Sequence, residues 1–337
     1  MQHPAAPAPW IGRQIRQLVD RRGHAWLLQG PTGLGQYPLA LALARNWLCE
    51  QPGPGGACGV CPSCHAIEVR AHADLAVLMP ETLMIELGWP LSEKAQGDID
   101  DKKRKPSREI RVEGLRDVVE FAQRTSARGR GKVVLVYPAE RMNAIAANTL
   151  LKTLEEPAGD VKFVLASESA HQLLPTIRSR CQLHTMQWPT ATEALAWLQG
   201  QGVVAADAER LLRAAGGRPD DALAYLQSGR IPSLWARLPA ALAQGDASVL
   251  ASLTPAQAIE ALQKLCHDLL LLASGAEPRF FVPADLPPPG ALAARYKALS
   301  DWSKALSKSA RTADHPFNPG LMLEALASDA RRALHLP

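Results

Sequence analysis

Eight residues, Gly30-Pro31-Thr32-Gly33-Leu34-Gly35-Gln36-Tyr37, have the glycine spacing of a loop that wraps phosphate groups. A working loop of that kind reads Gly, four residues, Gly, Lys, then Ser or Thr. Its Lys brings positive charge to the outer phosphates, and its hydroxyl ligates Mg²⁺. Here Gln36 stands at the Lys position and Tyr37 at the hydroxyl position. Gln36 is uncharged, and Tyr37 carries its hydroxyl at the far end of a rigid ring. Gly30 and Gly35 thus keep the scaffold of a nucleotide site whose reactive groups are gone. No ATP hydrolysis is expected, while weak nucleotide binding stays open.

A second cluster follows at once. Cys49, Cys58, Cys61 and Cys64 fall within sixteen residues. In a reducing compartment such a run reads as a metal site rather than a disulfide framework. Four thiolates match tetrahedral Zn²⁺ and leave no open position, so a structural ion is expected. An iron–sulfur cluster is the rival, because C-x₂-C-x₂-C opens some ferredoxin patterns. His65 adjoins Cys64 and reads as a bystander, with displacement of one Cys as the alternative. Cys181 and Cys266 are isolated and read as ordinary thiols.

These groups need elements to hold them. Ala25 to Leu28 reads as a buried strand before the loop, and Leu39 to Leu48 as a helix after it, with Pro38 in the first turn. Cys49 then stands at the end of that helix, and the glycines and prolines of 52–62 fold the other three cysteines into a knuckle. Ile11 to Arg21 has helical spacing. Leu75 to Met79 reads as a strand, and residues 92–108 as a solvated, polar and disorder-prone insertion; a nucleic-acid contact through Lys102 to Lys105 is the lesser reading. Val112 to Ala122 reads as a helix.

Lys132 to Val136 is the clearest strand. In a phosphate-loop ATPase such a strand ends in acidic residues that handle Mg²⁺ and water. Here Tyr137 and Pro138 follow, and Glu140 comes late. A second catalytic element is therefore missing, independently of the first. Asn143 is placed to cap a helix from Ala144 to Glu156 that stops at Pro157, and Lys162 to Ala166 reads as another strand.

Strands alternate with helices to about residue 187, the pattern of a parallel sheet covered by helices. Beyond it the chain reads as helical, with joints at Pro189 and at Gln227 to Pro232, a Pro-rich loop from Pro283 to Gly290, and a core stripe of Leu262, Leu265, Leu269 and Leu272. The expected domains are 1–187, 188–230 and 231–337. At 337 residues the chain is long enough for these, and 47% hydrophobic content is ordinary for a globular protein. A net charge of +4 is too small to imply nucleic-acid binding by itself. No apolar run reaches the ~18–20 residues needed to span a bilayer, and Met1 to Trp10 lacks the features of a signal peptide. A cytoplasmic protein is expected.

Several stretches together resemble the bacterial clamp-loader subunits of the AAA+ class. They are Gly30 to Gly35, the cysteine cluster, Asn148-Thr-Leu-Leu-Lys-Thr-Leu-Glu-Glu-Pro157 and Ile177-Arg-Ser-Arg-Cys181. The altered loop points to the non-hydrolysing member of that set. The likeness covers about residues 8–230; the remainder matches only in being helical and of suitable size. It implies an AAA+ module, a helical lid and a helical collar. It also implies a five-membered ring with gamma or tau and delta subunits, which opens a sliding clamp and sets it on primed DNA. Arg180, read alone, is a surface ion-pair residue. Within the resemblance it is the arginine that reaches a neighbour's γ-phosphate, with Arg178 as an assistant or a solvated bystander. Active members carry an arginine before an Asp-Ala-Leu-like stretch in the lid. Here Asp220 precedes Asp221-Ala222-Leu223, and Arg218 is out of register. Two other functions are weighed against this one. A free-standing AAA+ ATPase requires Gln36, Tyr37 and Pro138 to be tolerated together. A zinc-dependent nucleic-acid-binding module is poorly served by four Tyr and five Phe.

Overall fold

The computed structural model describes residues 7–227, 232–289, 292–312 and 318–334. The chain divides by packing into two units, Met1–Pro189 and Thr190–Pro337.

The first unit opens with helix α1 (Pro9–Leu18), whose Trp10, Ile11, Ile15 and Leu18 recur at helical spacing and are buried. Strand β1 (Ala25–Gln29) leads through the glycine loop into α2 (Gln36–Leu48). The helix starts earlier than the expected Leu39. Gly35 takes a left-handed conformation and caps it, so Gln36 and Tyr37 become its first turn. Next come α3 (Pro62–Glu68), β2 (Leu75–Leu78), α4 (Glu81–Glu86), α5 (Glu93–Asp100), α6 (Val112–Gln123) and β3 (Lys132–Val136). The unit ends with α7 (Ala144–Glu155), β4 (Val161–Ser167), α8 (Pro175–Arg178) and β5 (Gln182–Thr185).

All five strands are parallel, in the order β2-β3-β4-β1-β5. Every residue of β3 is buried, and Phe163, Val164 and Leu165 of β4 are fully so. Helices on both faces explain why these strands read as unbroken apolar runs. Parallel strands also bring the loop after β1 and the residues after β3 and β4 to one end of the sheet.

One expectation needed revision, and one strand was not foreseen. Residues 92–108 are not a structureless insertion. Ser92 accepts from the Ala95 N–H at 3.3 Å and caps α5, an exposed polar helix. Beyond it, Arg104 ties the segment to Glu81, with Nη2 donating to Oε1 at 2.7 Å. Local capping and ion pairing order this stretch without any apolar face. The edge strand β5 carried no apolar run to reveal it: Gln182, Leu183 and Thr185 are exposed and only His184 is buried.

The second unit is helical: α9 (Ala191–Gly200), α10 (Ala205–Ala214), α11 (Pro219–Gln227), α12 (Pro232–Gln244), α13 (Pro255–Ala273), α14 (Tyr296–Ala310) and α15 (Pro319–Leu334). Leu198 and Leu211 of its first part share one hydrophobic core with Leu238, Leu262, Trp302 and Ala330 of the rest. In the leucine stripe, Leu262, Leu265 and Leu269 are fully buried and Leu272 packs at the margin. The joint expected at Gln227 to Pro232 falls largely outside the described residues, as does Gly290 of the Pro-rich loop.

Candidate functional site

The glycine loop has the backbone of a phosphate cradle. Gly33 and Gly35 have φ of +74° and +88°, which side chains disfavour. A Cβ on Gly30 would lie 2.8 Å from Met186 Cβ, so that position must stay small. Leu34 is fully buried, and its carbonyl accepts from Trp10 Nε1 at 3.1 Å. The loop is thus part of the core as well as a surface feature.

The two altered positions close it. Gln36 Nε2 donates to the carbonyls of Gly30 and Pro31, both at 2.7 Å. Its side chain is folded back across the loop and is 2% exposed. Tyr37 stacks on Tyr137, ring centroids 5.5 Å apart, and its hydroxyl accepts from Trp89 Nε1 at 2.7 Å. Burial pushes the Tyr37 phenol pKa up. The groups that replace Lys and Ser/Thr are therefore bound to the protein itself. Tyr137 Oη donates to Glu168 Oε1 at 2.7 Å, and the Glu168 N–H donates to Glu140 Oε1 at 3.1 Å. The end of β3, where an ATPase holds its acid, is thus spent on internal hydrogen bonds. Beside it a polar cavity of about 420 Å³ is lined by Thr32, Glu109, Glu140 and Glu168, with Arg141 the one cation among the described residues that line it. Carboxylates there oppose a phosphate electrostatically.

The four cysteines of the cluster are brought together. Cys49 caps the C-terminus of α2, Cys61 caps the N-terminus of α3, and Cys64 lies in the first turn of α3. Cys49 Sγ is 3.9 Å from Cys61 Sγ, and Cys58 Sγ is 4.0 Å from Cys64 Sγ. All four sulfurs lie within 4.8 Å of one another and can hold one metal ion. Backbone N–H groups of Cys58, Cys61 and Cys64 donate to the sulfurs of Cys49, Cys58 and Cys61 at 3.2, 3.4 and 3.4 Å. Burial alone would raise the Cys61 pKa, but the backbone N–H groups of Cys64 and Glu50 and the neighbouring thiols of Cys64 and Cys58 bring it down to about 6. The knuckle is pinned by Glu50, whose Oε1 accepts from Ser63 Oγ at 2.8 Å and from Arg128 Nη1 at 3.0 Å. His65 is exposed and outside the cluster. Cys181 and Cys266 stand apart, their thiols pushed up to about 12 by burial.

Arg180 follows α8 and precedes β5. Its Nε donates to Glu155 Oε1 at 2.7 Å, its Nη2 pairs with the same oxygen, and its Nη1 donates to the Thr176 carbonyl at 2.8 Å. The register pairs Trp26 with Gln182 and Gln29 with Thr185. Arg180 therefore stands at the start of β5, and the glycine loop beyond the opposite ends of β1 and β5. At a strand rise of ~3.3 Å per residue the two are roughly 15 Å apart. Arg180 cannot serve the loop of its own chain. Arg178 is exposed. In the second unit, Arg218 pairs with Asp221 at 2.7 Å. Burial, and then the Asp221 charge, raise the Asp220 pKa to about 6.

Trp89 and Glu155 complete these arrangements and were not assigned by sequence reasoning. Trp89 lies fifty-two residues beyond Tyr37 with no local signal to join them. Glu155 stood inside a quoted motif without a partner.

The family profile described as "DNA polymerase III, delta subunit" matches residues 13–190. The chain is 40% identical to DNA polymerase III subunit delta' of Pseudomonas aeruginosa over 215 residues, 63% of this chain and 58% of that protein. It is 34% identical to the delta' subunit of Escherichia coli over 225 residues, 65% and 60% of the two chains. It also matches the tau subunit of Escherichia coli at 35% identity over 167 residues, 49% of this chain and 22% of that one. The matched stretch thus spans about three fifths of the curated delta' relatives.

Proposed function

The chain belongs to the DNA polymerase III delta-subunit family, and on that premise we propose that it is the non-hydrolysing, delta-prime-type subunit of a bacterial clamp loader. The observation that carries this reading is the closed loop. Gln36 bonds two loop carbonyls and Tyr37 is held by Tyr137 and Trp89. A nucleotide would have to break both arrangements and would still find no Lys and no metal-binding hydroxyl. In this reading the isolated chain hydrolyses no ATP, and the closed loop speaks against a free-standing ATPase.

In this reading the first unit is the AAA+ module. The lid of 188–230 and the collar of 231–337 follow it. The partners are gamma or tau and delta subunits in a five-membered ring. The ring acts on a sliding clamp and primed DNA in the cytoplasm. No helix among the described residues is long and apolar enough to cross a membrane.

Arg180 is the group this chain gives to the ring. Its distance from its own loop supports a role at a neighbour's site. Its pairing with Glu155 is partly exposed, with side chains 29% and 48% accessible. Such a pair contributes only ~0–1 kcal/mol, so the arginine is released at little cost to a phosphate. A planar guanidinium placed there stabilises transition-state charge.

The metal is Zn²⁺. Tetrahedral Zn–S bonds of ~2.3 Å set sulfurs about 3.8 Å apart, which supports the assignment beside the observed 3.9 and 4.0 Å. Sulfurs this close bracket one ion, whereas an iron–sulfur cluster spreads its thiolates over several irons. Four protein ligands fill the shell, so the ion fixes the knuckle and does no chemistry.

The test is reconstitution with gamma or tau and delta. Arg180→Ala should leave the ring assembled and slow ATP hydrolysis at one neighbouring site, where trans-supplied arginines are worth ~10³–10⁵. The rate of the whole ring should fall less. Arg180→Lys should rescue poorly. Clamp loading at the wild-type rate by Arg180→Ala rings would reduce this subunit to a scaffold.

A further inference from the structure

The edge of the sheet at β2 is open and lies in a groove. β2 is the outermost strand and pairs only with β3. The carbonyls of Asp74 and Leu78 accept from Val133 and Tyr137 on the β3 side. Backbone groups alternate in direction along a strand, so the N–H and C=O of Val77 point away from β3. A cavity of about 500 Å³ lies there. Four consecutive residues of β2 and its end, Ala76 to Met79, line it. Consecutive side chains point to opposite faces, so a cavity touching all four meets the edge of the strand rather than either face.

The walls come from α5 and α6. α5 contributes Lys94, Ala95 and Asp98, and α6 contributes Gly114, Val118 and Phe121, each set falling on one helical face. Gly114 lets α6 pack close against β2 at the base of the groove, where an added Cβ would sit 2.8 Å from Leu78 Cδ1. The rim is acidic. Glu81 is taken up by Arg104 and Arg111, and Asp98 by Arg104. Glu109, Glu113 and Asp117 remain without ion pairs among the described residues, against the single unpaired cation Lys94.

An open parallel edge is a template for one more strand, and such edges bind extended peptides through main-chain hydrogen bonds. We propose that this groove is a docking site for an extended segment of a partner protein, one that adds to β2 as a sixth strand and alternates apolar with basic side chains. Its apolar residues would enter the space among Leu78, Met84 and Val118. Its Lys or Arg residues would meet Glu113 and Asp117. The ordering of α5 by Ser92 and Arg104 gives the site a wall that the polar composition of 92–108 did not foretell. The site shares Glu109 with the polar cavity beside the closed loop and is separate from the cysteine knuckle and from Arg180.

The experiment uses the full chain and a fluorescent Lys-Val repeat octapeptide, with a Glu-Val repeat and a backbone N-methylated Lys-Val repeat as controls. Anisotropy should show saturable binding of the Lys-Val peptide that weakens with salt. Glu113→Lys with Asp117→Lys, both exposed positions, should weaken it about tenfold or more. Hydrogen exchange should slow at the Val77 amide when peptide is bound. The N-methylated peptide should fail to bind. Equal binding by the Glu-Val peptide, or by the N-methylated one, overturns the proposal. So does a Val77 amide that stays unprotected at saturation. Protection of Val77 without peptide in a sample that light scattering finds dimeric would assign the edge to a second copy of this chain and overturn it as well.

Discussion

One helix separates two sites of opposite make-up. The glycine loop runs into the first turn of α2, and Cys49 caps its last. At the first end the backbone has the glycine geometry of a phosphate loop, with Gln36 and Tyr37 where Lys and Ser or Thr would act. At the other end all four ligand atoms are present on a backbone of turns and one short helix. The contrast separates shape from chemistry. The loop keeps its glycines because its own packing needs them: Leu34 is buried, and Gly30 lies against Met186. Its altered side chains have been absorbed into that packing through Gln36, Tyr37 and Trp89. The knuckle has no comparable core. Its hydrophobic cluster is Cys49, Cys61 and Cys64, with Ala57 and Cys58 packed against it. The loop is therefore held by apolar and aromatic contacts, and the knuckle by the Glu50 hydrogen bonds and the metal ion that its four sulfurs can hold.

The largest test of that contrast is removal of the metal. Structural Zn²⁺ contributes ~10–16 kcal/mol in zinc-finger peptides. Here the sheet has its own core, so the loss should stay local. Chelation, or Cys61→Ser, should abolish amide protection across 49–68 and leave β3 and β4 protected. One zinc per chain should be found by elemental analysis. Iron in its place, or exchange that speeds up equally at the glycine loop, would break the division between the two ends of α2.

Tyr37→Ala probes the other end. Emptying a fully buried aromatic site costs ~3–5 kcal/mol, and Tyr37 is only partly buried, so about 2–3 kcal/mol is expected in denaturant unfolding. The knuckle should keep its zinc. Gln36→Lys combined with Tyr37→Thr should restore no ATP hydrolysis, because Tyr137 and Pro138 still end β3 without an acid. Phosphate release by that double variant alone would show that the loop was the only missing part.

What was legible in the sequence follows from the range of each interaction. The loop, the cysteine cluster and the capped start of α7 were readable because their determinants lie within a few residues. Asn143 accepts from the Ala146 N–H at 2.9 Å, three positions on. β3 was readable because burial on both faces leaves an unbroken apolar run. The polar edge strand β5 and the exposed helix α5 gave no periodic apolar signal. The aromatic lock was out of reach for a different reason. Tyr37, Trp89 and Tyr137 are spread over a hundred residues and meet only when the sheet forms. The same holds for Arg180 and Glu155, whose pairing depends on where α7 ends relative to β5.

The smallest effect isolates one hydrogen bond of that lock. Trp89→Phe keeps most of the ring and removes the Nε1–H that Tyr37 accepts at 2.7 Å. A net hydrogen bond contributes ~0.5–1.5 kcal/mol, so about 1 kcal/mol of stability should be lost. Burial is the main cause that raises the Tyr37 pKa, and the Trp89 donor works against it. A raised pKa means that folding disfavours the phenolate. The stability tied to neutral Tyr37 is present in full below the ordinary tyrosine value of ~10 and is lost as pH climbs past it. Without the Trp89 donor the phenolate is less favoured still, so Trp89→Phe should steepen the alkaline loss of stability. Unfolding curves of the two proteins between neutral pH and the alkaline limit measure both effects. A variant with unchanged stability and an unchanged alkaline slope would mean that Tyr137 alone holds the ring, and that the lock rests on stacking rather than on the indole.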